Sequence, residues 1–395
     1  MTIDRRTFLA SVAAVPIALT GRASRPRVIV VGAGAFGGWT ALQLLRRGAE
    51  VLLLDAWGAG NARSSSGGET RVIRAVYGAD RIYSAMVRRA YEHWEALDPA
   101  LYTETGALWM HRGADDYVRS AAPILRELSF PLDALPLGEA RRRYPQIDFR
   151  GVQSVWLERR AGALAARRAC MAVRNAVEKA GGTYRIAHAE LSGDALRLGD
   201  GSRLEADAYV FACGPWLGKL FPETAIQPTR QEVHYFGIPR GSRRFGPEAM
   251  PVWIDFGERI VYGLPDLDGR GFKVADDTRG EPVDPTNLNR TPSPESIARA
   301  RKLLAERFPE LADAPLLESR VCQYENSPDG HLVLDRHPQA KKVWIAGGGS
   351  GHGFKLAPAV GEMLADAIIT EAKLPEMFGI ARLAKLAKPT TQFDR

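Results

Sequence analysis

Apolar residues fall in two rhythms along this chain. From Arg27 an unbroken run, Val28 to Val31, leads into glycines; Ala41, Leu42, Leu44 and Leu45 then recur at helical spacing, and Val51 to Leu54 form a second apolar run. An unbroken run predicts a central parallel strand buried on both faces, and the helical spacing predicts a helix packed on that sheet. The helix places Arg46 and Arg47 near its negative end and stops at Gly48. Further on, Ala163 to Ala180 predicts a helix ended by Gly181 and Gly182, and Thr183 to Ala189 and Ala195 to Leu198 predict short strands. Tyr209 to Ala212 predicts a buried strand that ends at Gly214, where glycine either lets backbone lie near a ligand or simply closes the strand. From about Gln227 to Glu318 the runs shorten, as in VHYFGI and IVYGLP, and are broken by Gly, Pro and Asp. That pattern predicts an antiparallel sheet inserted into the first fold. Pro294 to Arg307 predicts a helix ended by Pro309, and VWIAGGGSGHGFKLAPAVGEMLADAIIT predicts a strand, a glycine-rich turn and a helix.

Between the first strand and its helix stand Gly32, Gly34 and Gly37 in GxGxxG spacing. Gly32 permits the tight turn, Gly34 lets backbone approach a pyrophosphate, and Gly37 lets the helix pack closely on the strand. The start of the helix offers free N–H groups and positive dipole to phosphate. Asp55 ends the second strand, where a carboxylate accepts hydrogen bonds from an adenosine ribose with free hydroxyls. Strand, glycine turn, helix, strand and acid together predict dinucleotide binding; the unit alone does not separate FAD from NAD.

The expected fold class is α/β: a Rossmann-like nucleotide-binding domain assembled from discontinuous segments, with an α+β substrate domain containing a mostly antiparallel sheet. The segments are 25-100, 156-226 and 321-385 for the first domain, and 101-155 and 227-320 for the second. Residues 1-24 form a separate leader.

Composition narrows the function classes. The chain has 395 residues with 53 Lys and Arg against 46 Asp and Glu, a formal charge of +7. The basic residues are scattered among acids without a basic run, so no nucleic-acid partner is expected, and a mild cationic excess suits an anionic cofactor and substrate. Cys170, Cys213 and Cys322 are far apart and odd in number, with no ligand spacing, so neither a metal site nor a disulfide framework is expected. No apolar stretch is long enough to predict a stable membrane span. The leader MTIDRRTFLASVAAVPIALTG sets Arg5 and Arg6 before Phe8 and Leu9 and a short Ala-rich stretch, which looks like a twin-arginine export signal and predicts a periplasmic protein handed to the export machinery. The alternatives are an ordinary secretory signal, or a disordered tail on a cytoplasmic protein. Fractionation is the check: replacing Arg5 and Arg6 by Lys should retain the protein inside.

Five segments together carry a resemblance: GAGAFGG at Gly32, GGETRVIR at Gly67, YGLPDLDGRGFK at Tyr262, VCQYENSPDGHLVLDRHP at Val321 and GGGSGHGFKLAP at Gly347. Their order and spacing resemble the monomeric sarcosine oxidase and N-methyltryptophan oxidase family, within the wider group containing D-amino acid oxidase. The resemblance implies FAD as cofactor, covalently attached through Cys322, with Thr70, Arg71, Gly349 and Gly351 beside it. It implies that Arg74 and Lys355 clamp a substrate carboxylate, the guanidinium in bidentate fashion. Lys273 matches the lysine on the oxygen side of the flavin, where fixed positive charge assists electron transfer to oxygen. Tyr262, Tyr324 and His352 match pocket-lining positions, each of which is also compatible with ordinary core packing.

The resemblance further implies the reaction. An amino-acid-like secondary amine, sarcosine or another N-alkyl amino acid, would lose hydride to the flavin as its neutral amine, and O2 would be reduced to H2O2. No side chain is assigned as a strong base. The chain departs from the pattern four residues after Lys273, where Asp277, beside Asp276, replaces the family's histidine; this opens the choice of amine. Alternatives are a fructosyl-amino-acid oxidase, a related flavin dehydrogenase passing electrons to a quinone or carrier protein, and an exported FAD-binding protein without turnover. An NAD-linked enzyme leaves Cys322 and the C-terminal glycine-rich segment without a purpose.

Overall fold

A computed structural model describes residues 25–386 and 389–394. The leader, with its Arg5–Arg6 pair, lies outside the described residues.

Among the described residues six strands form one sheet, in the order Val333–Arg336, Val343–Gly347, Ala208–Phe211, Arg27–Val31, Glu50–Asp55, Thr183–Ile186. All neighbours are parallel except the edge pair Val333–Arg336 and Val343–Gly347. Ala208–Phe211 pairs with both Arg27–Val31 and Val343–Gly347, and Glu50–Asp55 pairs with Thr183–Ile186, so long connections leave and re-enter at these strand ends. The helix Ala35–Arg46 follows the first strand and packs against Ala357–Thr370 and Ala166–Lys179. Its contacts depend on small residues: a Cβ at Gly361 would lie 2.6 Å from the backbone of Trp39, and one at Gly37 would lie 1.8 Å from Gly32 O.

A second sheet of eight strands runs Leu316–Asn326, Gln227–Phe236, Phe272–Asp276, Ile260–Leu264, Val252–Phe256, Ala107–His111, Ser154–Glu158, Leu132–Leu135. Its neighbours are antiparallel apart from Val252–Phe256 beside Ala107–His111, in keeping with the antiparallel sheet expected from about Gln227. Its outer face packs Trp253, Phe272, Phe308 and Phe245 into a core of their own. A small sheet, Thr70–Ile73, Gly162–Ala165 and Tyr102–Glu104, touches the eight-stranded sheet where Lys273 Nζ donates to Thr70 O.

Two local expectations need correction. The helix expected from Ala163 begins at Ala166, and Gly162–Ala165 is instead a strand paired on both sides. Backbone approaches so closely there that a Cβ at Gly162 would sit 2.1 Å from Thr103 O. Two ladders of hydrogen bonds hold extended a segment whose small residues are also compatible with helix. The expected strand Thr183 to Ala189 is two strands, Thr183–Ile186 in the six-stranded sheet and Ala189–Ser192 in a separate three-stranded sheet. The helix Pro294–Arg307 has the expected bounds, with Ser293 Oγ accepting from Ser296 N at 3.2 Å as its cap.

Candidate active site

The parallel strands end at a cleft of about 270 Å³ lined by Gly32, Gly34, Asp55, Gly214, Gly349 and Gly351, among others. Gly32 has φ +105 and would drive a Cβ to 2.3 Å from Ala212 O, so only glycine fits the turn. Gly34 heads the helix Ala35–Arg46 with no side-chain cap and no acid in the first turn, leaving the helix start open to an anion. Asp55 closes the far side. Its carboxylate accepts from Ala33 N at 2.7 Å, Gly58 N at 2.8 Å and Trp57 N at 2.9 Å, tying the glycine turn to the end of the second strand. Burial raises its pKa, and these three donors pull it back down. Gly37 stays out of the cleft and serves the contact between helix and turn.

Glu325 also borders the cleft. It is buried, Gly349 N donates to its Oε1 at 3.3 Å, and its Oε2 has no partner among the described residues. Burial pushes its pKa up to about 8, against the pull of the Gly349 N–H.

At Arg71, Gly351 and Phe354 the cleft meets a smaller pocket of about 60 Å³. Arg71 stands on the strand Thr70–Ile73, donates to Thr70 O at 2.8 Å and to Ser65 O, and holds its Nη2 3.6 Å from Cys322 Sγ. Behind it Lys273, 1% exposed on the central strand Phe272–Asp276, donates to Thr70 O at 3.2 Å and Oγ1 at 3.3 Å. Burial, aided by the Arg71 charge, lowers its pKa to about 7. Tyr262 reaches within 5.9 Å of the Lys273 ammonium, ring centroid to nitrogen.

The pocket itself is lined by Arg74, Tyr262, Asp277, His352, Lys355 and Gln392. Arg74 and Lys355 are buried, and Lys355 is pushed well below its ordinary value first by burial and then by Arg74. Lys355 Nζ donates to His352 O at 2.8 Å and lies 5.3 Å from the Tyr77 ring centroid; the Arg74 guanidinium lies 4.7 Å from the same centroid. One aromatic ring thus lies against both basic side chains. His352 Nε2 bonds Gly330 O at 2.9 Å, which leaves Nδ1 as acceptor for the Tyr77 hydroxyl at 3.2 Å. His352 therefore holds the platform beneath the cations.

Tyr324 lies at the junction, its ring so close to Gly351 that a Cβ there would fall 2.7 Å away. Its hydroxyl donates to Asp277 Oδ1 at 2.7 Å. Burial raises the Asp277 carboxyl to about 6, against the pull of Tyr324, Arg74 and Lys355. The fold thus brings Arg71, Arg74, Tyr262, Tyr324, His352, Lys355 and Gly351 together, sets Lys273 and Thr70 one layer behind Arg71, and sets Cys322 beside it. Gln392 and Phe393, Glu325, and the buried Glu158 behind Arg74 were not legible as site residues: Gln392 and Phe393 lie 37 and 38 positions beyond Lys355, by subtraction, with no motif around them.

The chain is similar to known proteins over most of its length. The profile of the DAO family, described as FAD dependent oxidoreductase, matches residues 27–367. Monomeric sarcosine oxidase of Bacillus sp. (strain B-0618) is 31% identical over 360 residues, covering 87% of this chain and 92% of the relative. Among solved structures, L-proline dehydrogenase from P. horikoshii superposes with a TM-score of 0.80 at 20% identity, covering 91% of this chain and 98% of the other. Fructosyl amine: oxygen oxidoreductase (Amadoriase I) from Aspergillus fumigatus gives 0.77 at 21% identity, covering 91% of each chain. The nucleotide cleft, the matched length and the sequence identity lead to one assignment: this chain belongs to the family of FAD dependent oxidoreductases.

Proposed function

We propose that the chain oxidises the CH–NH bond of an N-alkyl amino acid, with O2 as electron acceptor and H2O2 as product. The observation that carries this reading is the buried pair Arg74 and Lys355 in a pocket that opens onto the nucleotide cleft at Arg71 and Gly351. A substrate carboxylate would pair with the buried Arg74 guanidinium and favour the charged form of Lys355, which burial and Arg74 otherwise disfavour. The sarcosine oxidase relative supports an N-methyl amino acid as the substrate class. A fructosyl amino acid is the second reading, favoured by the Asp277 carboxylate in the pocket, which can accept from sugar hydroxyls, and by the fructosyl amine oxidoreductase of the same fold.

FAD fits the residues present: the open helix start at Gly34 and the turn at Gly32 would hold its pyrophosphate, Asp55 its adenosine ribose, and Thr70, Arg71, Gly349 and Gly351 the end nearest the pocket. When bound, FAD supplies the hydride acceptor and the route by which electrons reach oxygen. Covalent attachment through Cys322 is part of the proposal, supported by its Sγ lying beside Arg71 at the pocket end of the cleft. So is export, supported by Arg5 and Arg6 ahead of an apolar stretch.

The chain's own residues supply binding, orientation and charge. Arg74 and Lys355 seat the carboxylate, which fixes the amine end toward Tyr262 and Tyr324. The tyrosine rings exclude water from that end, so the amine reacts as the neutral base without a side chain to deprotonate the carbon. Tyr77, held by His352, keeps the two cations in place before substrate arrives. Lys273, whose pKa is lowered to about 7, would place an ammonium behind Arg71 when protonated, and negative charge developing on oxygen would favour that protonated form.

The test is anaerobic mixing of the purified flavoprotein with N-methyl, cyclic and fructosyl amino acids. At least one should bleach the flavin, and readmitted air should then yield peroxide in proportion to substrate. Failure of every amine to bleach it removes the proposal; bleaching without peroxide assigns another electron acceptor.

A further inference from the structure

The clamp cation Arg74 already carries an internal ligand. Its Nη2 donates to the side-chain carbonyl of Gln392, Oε1, at 2.9 Å, while Nη1 donates to Val76 O. Phe393 covers the guanidinium, 5.8 Å from its ring centroid, and packs edge-on against Tyr117 and Phe256 at 5.2 and 5.4 Å. Both residues line the pocket, and Gln392 is buried. The backbone around them is pinned: Thr390 N donates to Pro328 O at 2.8 Å, and Thr391 Oγ1 donates to Asp394 Oδ2 at 2.9 Å. Gly330 has φ +71 and no side chain, which lets the tail backbone approach to the point where a Cβ would lie 3.2 Å from Gln392 N. What is free to yield is the Gln392 side chain, by rotation about its own bonds, without movement of the segment.

We propose that Gln392 is a specificity-determining cap: its amide oxygen holds Arg74 Nη2, a donor on the pocket side of the guanidinium, so a ligand that takes that donor must displace the amide. A carboxylate succeeds because a charge-assisted bond to a guanidinium is stronger than an amide bond to the same donor. A neutral amide or hydroxyl offers no such gain and is rejected, which makes the cap a filter for anionic ligands. The side-chain amide also satisfies the buried Nη2, while Val76 O satisfies Nη1, and a buried charged donor left unsatisfied is costly.

The inference rests on the reading of Arg74 as the carboxylate clamp, and the experiment separates the two. Acetate is titrated calorimetrically into flavin-loaded full-length protein, with acetamide as the neutral control. Gln392→Ala should bind acetate about fivefold more tightly, the fold-change expected from one lost competing hydrogen bond, and should narrow the discrimination against acetamide. Gln392→Glu places a tethered anion on Arg74 and should weaken acetate by about tenfold or more. Misfolding weakens binding in both variants and does not produce opposite directions. Unchanged or weaker acetate binding in Gln392→Ala, or wild-type affinity in Gln392→Glu, overturns the cap and leaves the clamp standing. Wild-type protein that takes no acetate overturns both.

Discussion

Asp277 is the residue at which this chain's pocket differs most in charge from a purely cationic one. It faces Arg74 and Lys355 across the pocket and holds the Tyr324 hydroxyl. Because burial raises its folded-state value to about 6, the carboxylate is present above that pH and gains its proton below it. An anion near a substrate ammonium stabilises the protonated amine, so the reactive neutral amine forms only at higher pH. Asp277→Asn should therefore shift the rising limb of the anaerobic flavin-reduction rate to lower pH, by on the order of one unit; stopped-flow reduction across pH decides it, and an unmoved limb rules the role out. Lys273 belongs to the other half of the reaction. Lys273→Met should slow reoxidation by air by about a hundredfold, the scale of losing one preorganised electrostatic group, with anaerobic reduction much less affected; normal reoxidation in the mutant would refute its assignment. At this scale the sequence made Asp277 visible as a departure within a motif. Gln392 was invisible, because only the folded tail brings it to Arg74.

Elements show why short motifs carried so much. Gly32, Gly34 and Gly37 are legible because each answers a steric demand of the backbone, and a side chain at Gly32 or Gly37 would overlap carbonyl oxygen. The helix Pro294–Arg307 is legible from its proline start and Ser293 cap. The strand Gly162–Ala165 was not, since its conformation comes from partners on both sides and not from its own residues. The helix Arg81–Leu97 is absent from the expected elements although Met86, Val87, Ala90, Tyr91 and Trp94 recur on one buried face, Asp80 stands at its N-cap position and Pro99 lies just beyond its end. The strand Leu316–Asn326 has consequences for the cofactor. It carries Cys322, Tyr324 and Glu325 in succession past Arg71, Gly351 and Gly349. If Cys322 is the tether, protein denatured in acid keeps its yellow colour on the polypeptide, and Cys322→Ser releases it; colour lost from the unaltered chain under the same treatment excludes a covalent link.

For the whole molecule, the site lies where residues from the three sheets and the segments that follow them come together. Thr70 and Arg71 come from the small sheet, with Arg74 just beyond its first strand. Lys273, Tyr262, Cys322 and Tyr324 come from the eight-stranded sheet, while Gly351, His352 and Lys355 follow the strand Val343–Gly347 of the six-stranded sheet. No single stretch of sequence contains this site. Its membership was legible only because five separated motifs could be read together, and the tail and Glu158 escaped because they belong to none of them. The central claim is that these three sheets present a carboxylate clamp to one end of a flavin cleft. It is tested most directly by anaerobic flavin reduction with the best N-alkyl amino acid from the panel and with the same amine lacking its carboxylate. The clamp predicts that the second compound reduces the flavin at least about a hundredfold less efficiently, as expected when oriented binding is lost, and that Arg74→Ala erases most of that difference. Equal efficiency for the two amines in the unaltered protein would contradict it.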